Sequence, residues 1–154
     1  MIRPIDVPEL SLQRDEVWQI HARNLSISRL ERFSDKAFVG SGLFRWCVLV
    51  VSCGRANLPQ SIIRGEFVDS FPTVDVLRET FFRAIIYPND NGPRRPERVE
   101  FISTGYERGF RDDLNRLGVR ARVVDRIEIW EQTFLQLAAL AESAQRRRTF
   151  PHND

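Results

Sequence analysis

Residues 98–110 read R-V-E-F-I-S-T-G-Y-E-R-G-F. A short apolar run, Val99 to Ile102, stops at Ser103-Thr104-Gly105, and a helical pattern starts directly after it. In open α/β sheets, ligands gather beyond the carboxyl ends of strands, so this strand end raises two readings. Its free backbone N–H groups could face the phosphate of a phosphorylated ligand. The spacing G-x-x-x-x-G-K-[ST] of a phosphate loop, with its lysine, is not there. Alternatively Thr104 and Glu107 fit T-x-x-E, a capping box that satisfies orphan helix N–H groups. The cap is the preferred reading.

Other reactive sets are sparse. No G-x-S-x-G elbow occurs. The two histidines are His21, expected on the exposed side of an edge strand, and His152, near the end of the chain. Cys47 and Cys53 fall on one face of one strand, roughly 20 Å apart, so they are expected as buried, reduced thiols. No Cys or His has metal-ligand spacing, and neither a metal nor another cofactor is expected. The basic residues are almost all arginine, Lys36 being the one lysine. Arg94, Arg95, Arg98, Arg120 and Arg122 are the candidate nucleic-acid contacts. Acids interleave with them, at Glu97, Glu100 and Asp125, so a solvated mixed-charge face is the preferred account. The net charge of +2 does not call for nucleic acid, which asks for a clustered basic face.

The elements that must position these residues follow from periodicity. Glu16 to Leu25 alternates, with Trp18, Ile20 and Ala22 on one side and Gln19, His21 and Arg23 on the other, which predicts a half-exposed strand. Ile27, Leu30 and Phe33 suggest one helical turn. Leu43 to Cys53 is a valine-rich apolar run that predicts a strand covered on both faces. Ser61 to Val68 predicts a strand that pairs back as a hairpin, with Gly65 marking a bulge. Val74, Leu77, Phe81, Ala84 and Ile85 have helical spacing. Asn89 to Glu97 reads as an exposed loop, and Val99 to Ile102 as a core strand. Tyr106, Phe110, Leu114 and Leu117 form a helical stripe that stops at Gly118. Val119 to Val124 predicts a strand. Asp125 with Glu128 resembles a second capping box, opening a last helix with Ile127, Trp130, Phe134, Leu137 and Ala141 inward. That helix ends near Arg146 to Arg148, whose charge suits a helix C-terminus.

The 154 residues, 42% hydrophobic and 29% charged, suit one soluble globular domain. The expected organisation is an irregular lead-in at 1–14, a single α/β domain at 15–146 and a tail at 147–154. No apolar run approaches the roughly 18 residues of a membrane span, and the N-terminus lacks a signal-peptide core, so a cytoplasmic, non-membrane protein is expected. The order β-β-β-α-β-α-β-α, with parallel strands in the second half, predicts a mixed sheet of the ribonuclease H-like kind. A flavodoxin-like or Rossmann-like sandwich is the alternative.

The segments R-W-C-V-L-V-V, P-E-R-V-E-F-I-S and L-N-R-L-G-V-R-A-R-V-V-D resemble the core of retroviral-type integrases and transposases. There, a strand after a Trp carries an Asp, and a later strand ends in a second Asp. The same segments, over roughly residues 15–140, resemble a bacterial domain-of-unknown-function family with a Glu-Val-Trp-like opening strand and a P-x-R-V…L…L-G-V-x-V tail. That resemblance implies the fold and no activity. Two-metal chemistry needs carboxylates that hold ions about 4 Å apart. The runs ending Ser52-Cys53-Gly54 and Ser103-Thr104-Gly105 offer none.

Three functions follow in order of preference: a non-catalytic interaction module, an accessory or scaffold subunit that binds another protein or its own copy; a nucleic-acid-binding module that lost the metals of a nuclease fold; and an enzyme acting on a phosphorylated ligand through Ser103 and Thr104. The candidate partner-binding residues are Trp18, His21 and Arg23 on the early strand, Arg94, Arg95 and Arg98 at the arginine loop, and Phe150 in the tail.

Overall fold

A computed structural model describes residues 10–25, 46–55 and 59–149. Among the described residues, five strands form one mixed sheet: β1 (Leu12–Asn24), β2 (Trp46–Ser52), β3 (Ser61–Val68), β4 (Arg95–Phe101) and β5 (Arg120–Val123). Three helices among those residues accompany them, α1 (Val74–Ile86), α2 (Thr104–Leu117) and α3 (Glu128–Thr149). The strand order is β3-β2-β1-β4-β5. β1, β2 and β3 pair antiparallel in succession, while β1, β4 and β5 run parallel.

Strand alternation divides the molecule into two apolar layers. Trp18, Ile20, Val48, Val50, Val99 and Phe101 pack on Leu77, Phe81 and Ile85 of α1 and Phe110 and Leu114 of α2. On the opposite face, Cys47, Leu49 and Val51 pack on Ile127, just before α3, and on Trp130 and Phe134 of α3. β2 is therefore covered on both faces, as its continuous apolar run requires. The two helices of the first layer meet closely at Gly109, where an added Cβ would lie 2.3 Å from Val74 Cγ1. Gly118 takes the left-handed conformation, φ 68°, and its N–H closes α2 on the carbonyls of Leu114 and Asn115.

Several expectations are corrected. β1 starts at Leu12 and lies at the centre of the sheet, so the stretch Trp18–Arg23 is not an exposed edge. Its polar side reads as solvent-facing in the sequence, but α3 covers Gln19 and His21 and leaves Arg23 exposed. The bulge in β3 falls at Ile63, the residue between the paired Ile62 and Arg64, not at Gly65. β4 begins at Arg95, inside the stretch read as a loop. The expected turn at Ile27, Leu30 and Phe33 lies outside the described residues. So do Phe150, His152 and the side chains of Ala141 and Arg146 to Arg148.

Candidate functional site

Polar side chains are buried at two places on β1. The first is at its N-terminal end. A β-irregularity between Gln13 and Val17, with Asp15 at φ 66°, turns Glu16 inward. The fully buried Glu16 meets Arg94, which enters from the segment before β4. Arg94 Nε and Nη2 donate to Glu16 Oε1 and Oε2 at 2.8 and 2.9 Å. Its Nη1 and Nη2 donate to Asp90 Oδ1 and Oδ2 at 3.0 and 2.9 Å. A fifth bond, from Nη1, reaches Gly92 O at 3.3 Å. A guanidinium has five N–H donors, and these bonds use them all. The plane also lies over the Trp18 ring, 5.6 Å from its centroid. Ser52 Oγ donates to Glu16 Oε2 and Ser61 Oγ to Asp90 Oδ2.

Electrostatics keep this set ionised. Burial alone would raise the Glu16 carboxyl, but hydrogen bonds from Arg94 and Ser52, together with the Arg94 charge, outweigh it and hold the group below its ordinary range. Asp90 is held low in the same way, burial opposing and Arg94 and Ser61 prevailing. Arg94 is pushed up, because its two carboxylate partners outweigh its desolvation. A permanently charged, doubly bidentate set holds backbone segments together and leaves no proton to exchange near neutral pH.

The second place is the middle of β1, on the α3 face. Gln19 Oε1 accepts from the backbone N–H of Trp130 at 2.9 Å, and its Nε2 donates to Glu100 Oε1 at 3.0 Å. Trp130 is the third residue of α3, so Gln19 caps that helix from another strand. The expected Asp125–Glu128 capping box is corrected accordingly: the helix starts at Glu128, and Ile127 O receives Glu131 N–H. His21 sits beside Gln19's layer, half-buried, with ring centroids 5.3 Å from Trp130 and 6.0 Å from Tyr106. Burial, and then the nearby Arg23 charge, lower its pKa to about 4. It is a neutral, enclosed imidazole and not the exposed residue the alternation predicts.

At the turn that opened the sequence reading, the cap is Ser103. Its Oγ accepts from Tyr106 N–H at 3.2 Å, and α2 starts at Thr104. The T-x-x-E box at Thr104 is thereby corrected by one residue. Glu107 is free of capping duty and instead pairs with Arg111 at 2.9 Å. Cys47 is the buried thiol expected, whereas Cys53 lies just past the end of β2 and is half-buried; burial pushes Cys47 up to about 12, and burial with Glu100 pushes Cys53 up to about 11.

The candidate arginines do not form one patch. Arg94 is buried as described and offers no surface to a partner or a phosphate. Arg95 donates from Nε to Leu10 O at 2.8 Å and from Nη1 to Leu117 O, tying the end of α2 to the chain before β1. Arg98, Arg120 and Arg122 do share a face, since Arg98 pairs with Arg120 and Glu100 with Arg122 across β4 and β5. Arg98 is bound to Glu100 at 3.3 Å and Arg120 to Glu97 at 3.5 Å. Trp18 is fully buried in the first layer, so it too is corrected as a partner-binding residue. Arg23 is exposed, its guanidinium 5.3 Å from the Phe134 ring centroid.

Among the described residues, no group of three or more His, Cys, Asp or Glu side chains is placed to hold a metal ion. No helix among them is long and apolar enough to cross a membrane. No family model matches the chain, and no curated protein matches it.

Proposed function

We propose that this chain is a non-catalytic α/β interaction module, an accessory or scaffold subunit of a larger assembly, built on a ribonuclease H-like sheet. The sheet order with an antiparallel β1-β2-β3 start supports that assignment over a doubly wound sheet, whose strands are mostly parallel and joined by crossover helices. The observation that carries the functional reading is the use made of three polar groups on the strands and just past them. Ser103 caps α2, Gln19 caps α3 and Ser52 holds Glu16. Each of these three is engaged with the protein's own backbone or a buried ion pair. In the integrase-like pattern the strand after a Trp carries an Asp. Here the strand that opens at Trp46, β2, reads Trp-Cys-Val-Leu-Val-Val-Ser and carries no acid.

Affinity capture from native lysate with the full chain, followed by reconstitution from purified components and light scattering, tests the reading. A defined complex of fixed stoichiometry is expected. Recovery of monomer alone overturns it.

A further inference from the structure

Among the described residues, the sheet ends in two edge strands of different character. β5 has four residues and carries Arg120 and Arg122, the charged, short edge that suits exposure to water. β3 has eight residues, and a loop, Tyr87 to Arg94, is tied along it. Asn89 N–H donates to the carbonyl of the bulged Ile63 at 2.8 Å. Arg64 Nη1 donates to Tyr87 O at 3.0 Å, and Ser61 Oγ to Asp90 Oδ2 at 2.7 Å. The loop is latched at its far end by Arg94, which Glu16 anchors inside the molecule. Asp90 joins strand to latch, because it takes both Ser61 and Arg94.

Past the bulge, β3 reads Arg64-Gly65-Glu66-Phe67. Two copies paired antiparallel about Gly65 set Arg64 of each opposite Glu66 of the other. Opposite charges facing across an antiparallel pair stabilise it, and like charges destabilise it. Centring the pair on Glu66 instead would face that carboxylate with itself, so the charges select the first register. Phe67, 44% exposed, would gain cover beside the other copy's bulge. Asn89 obstructs this register, since it occupies the Ile63 carbonyl that would lie opposite Phe67.

We propose that the outer edge of β3 is a self-association surface that admits a second copy of this chain, antiparallel about Gly65, and that the Tyr87–Arg94 loop is the guard that keeps it closed. The proposal rests on the interaction-module reading and names a second copy as the partner. The test uses the full chain. Asp90→Ala frees the strand from the latch while Glu16 still holds Arg94. Sedimentation equilibrium is expected to show at least tenfold tighter dimerisation than in the unsubstituted protein. Adding Arg64→Glu or Glu66→Arg to that variant is expected to return a monomer, and an equimolar mixture of the two double variants to restore the dimer. A folded Asp90→Ala variant that stays monomeric, or a mixture that associates no better than its components, overturns the proposal. If far-UV circular dichroism shows Asp90→Ala unfolded, Ser61→Ala, which removes one hydroxyl, carries the same series. A partner captured from lysate beside a monomeric variant leaves the interaction-module reading intact and sinks only the guard. A dimer without any reconstituted partner supports the guard and removes only the larger assembly from the interaction-module reading.

Discussion

Burial of the Arg94 ion-pair set and of His21 has consequences for stability that an unfolding experiment reads. Removing one member of a buried ion pair strands the other charge in low dielectric and costs about 3–5 kcal/mol, whereas replacing both members by apolar groups of similar shape is far milder. Arg94→Met leaves Glu16 and Asp90 facing each other without a cation. It is expected to lower the unfolding free energy from urea titration by an amount in that range, and Glu16→Leu with Arg94→Met to lose less than the two single changes together. The pH dependence follows from the direction of each shift. Glu16 and Asp90 are depressed on folding, so their contribution is complete above the ordinary carboxylate range and is lost as pH falls below it, through their lowered folded-state values. His21 is depressed from 6.5 to about 4. Below pH 6.5 the unfolded chain takes up a proton that the folded chain refuses, so stability falls with pH at up to about 1.4 kcal/mol per unit. His21→Phe is expected to flatten the stability curve between pH 6.5 and the onset of carboxylate titration. An unchanged slope in that window would show that His21 is solvated.

The elements test the corrected caps. Ser103→Ala removes the acceptor for Tyr106 N–H and is expected to cost about 1 kcal/mol, while Thr104→Val, one residue inside the helix and exposed, is expected to change thermal stability by only a few tenths. The reverse ranking would return the cap to Thr104. Much of the element pattern is legible in the sequence, because strands and helices with one buried face write their period locally. Val74 to Ile85 and the Leu117-Gly118 stop are of this kind. Ser and Thr are both good caps, and pattern alone does not separate adjacent candidates. What the sequence hides is long-range. Gln19 caps a helix 111 residues away and Glu16 meets Arg94 across 78, so no local window contains either pair. That is why β1, whose polar positions are spent on these contacts, reads as a half-exposed edge although it is the central strand. Asp90 and Arg94 are four apart, yet within a loop composition their spacing carries no helical meaning.

At the scale of the whole molecule, the distribution of charge separates the two binding readings. Nucleic acid is held by arginines free to replace the counterions of phosphates, and each phosphate neutralised adds about 0.9 to the salt slope on a duplex. Of the five arginines that the sequence offers for that role, Arg94 is buried between two carboxylates and Arg95 is committed to the carbonyls of Leu10 and Leu117. The three that share the open face of β4 and β5 lie among Glu97 and Glu100, with Arg122 directly opposite Glu100. Such a face is close to neutral as a unit, which agrees with a net charge of only +2, and it suits a polar protein surface better than a phosphate backbone. Filter binding at about 50 mM salt is therefore expected to retain neither single- nor double-stranded DNA above background. The variant Arg98→Ala, Arg120→Ala, Arg122→Ala is expected to behave identically. Retention at low salt that falls by several orders of magnitude at about 200 mM, and vanishes in that variant, would instead make this face a nucleic-acid surface and displace the scaffold reading.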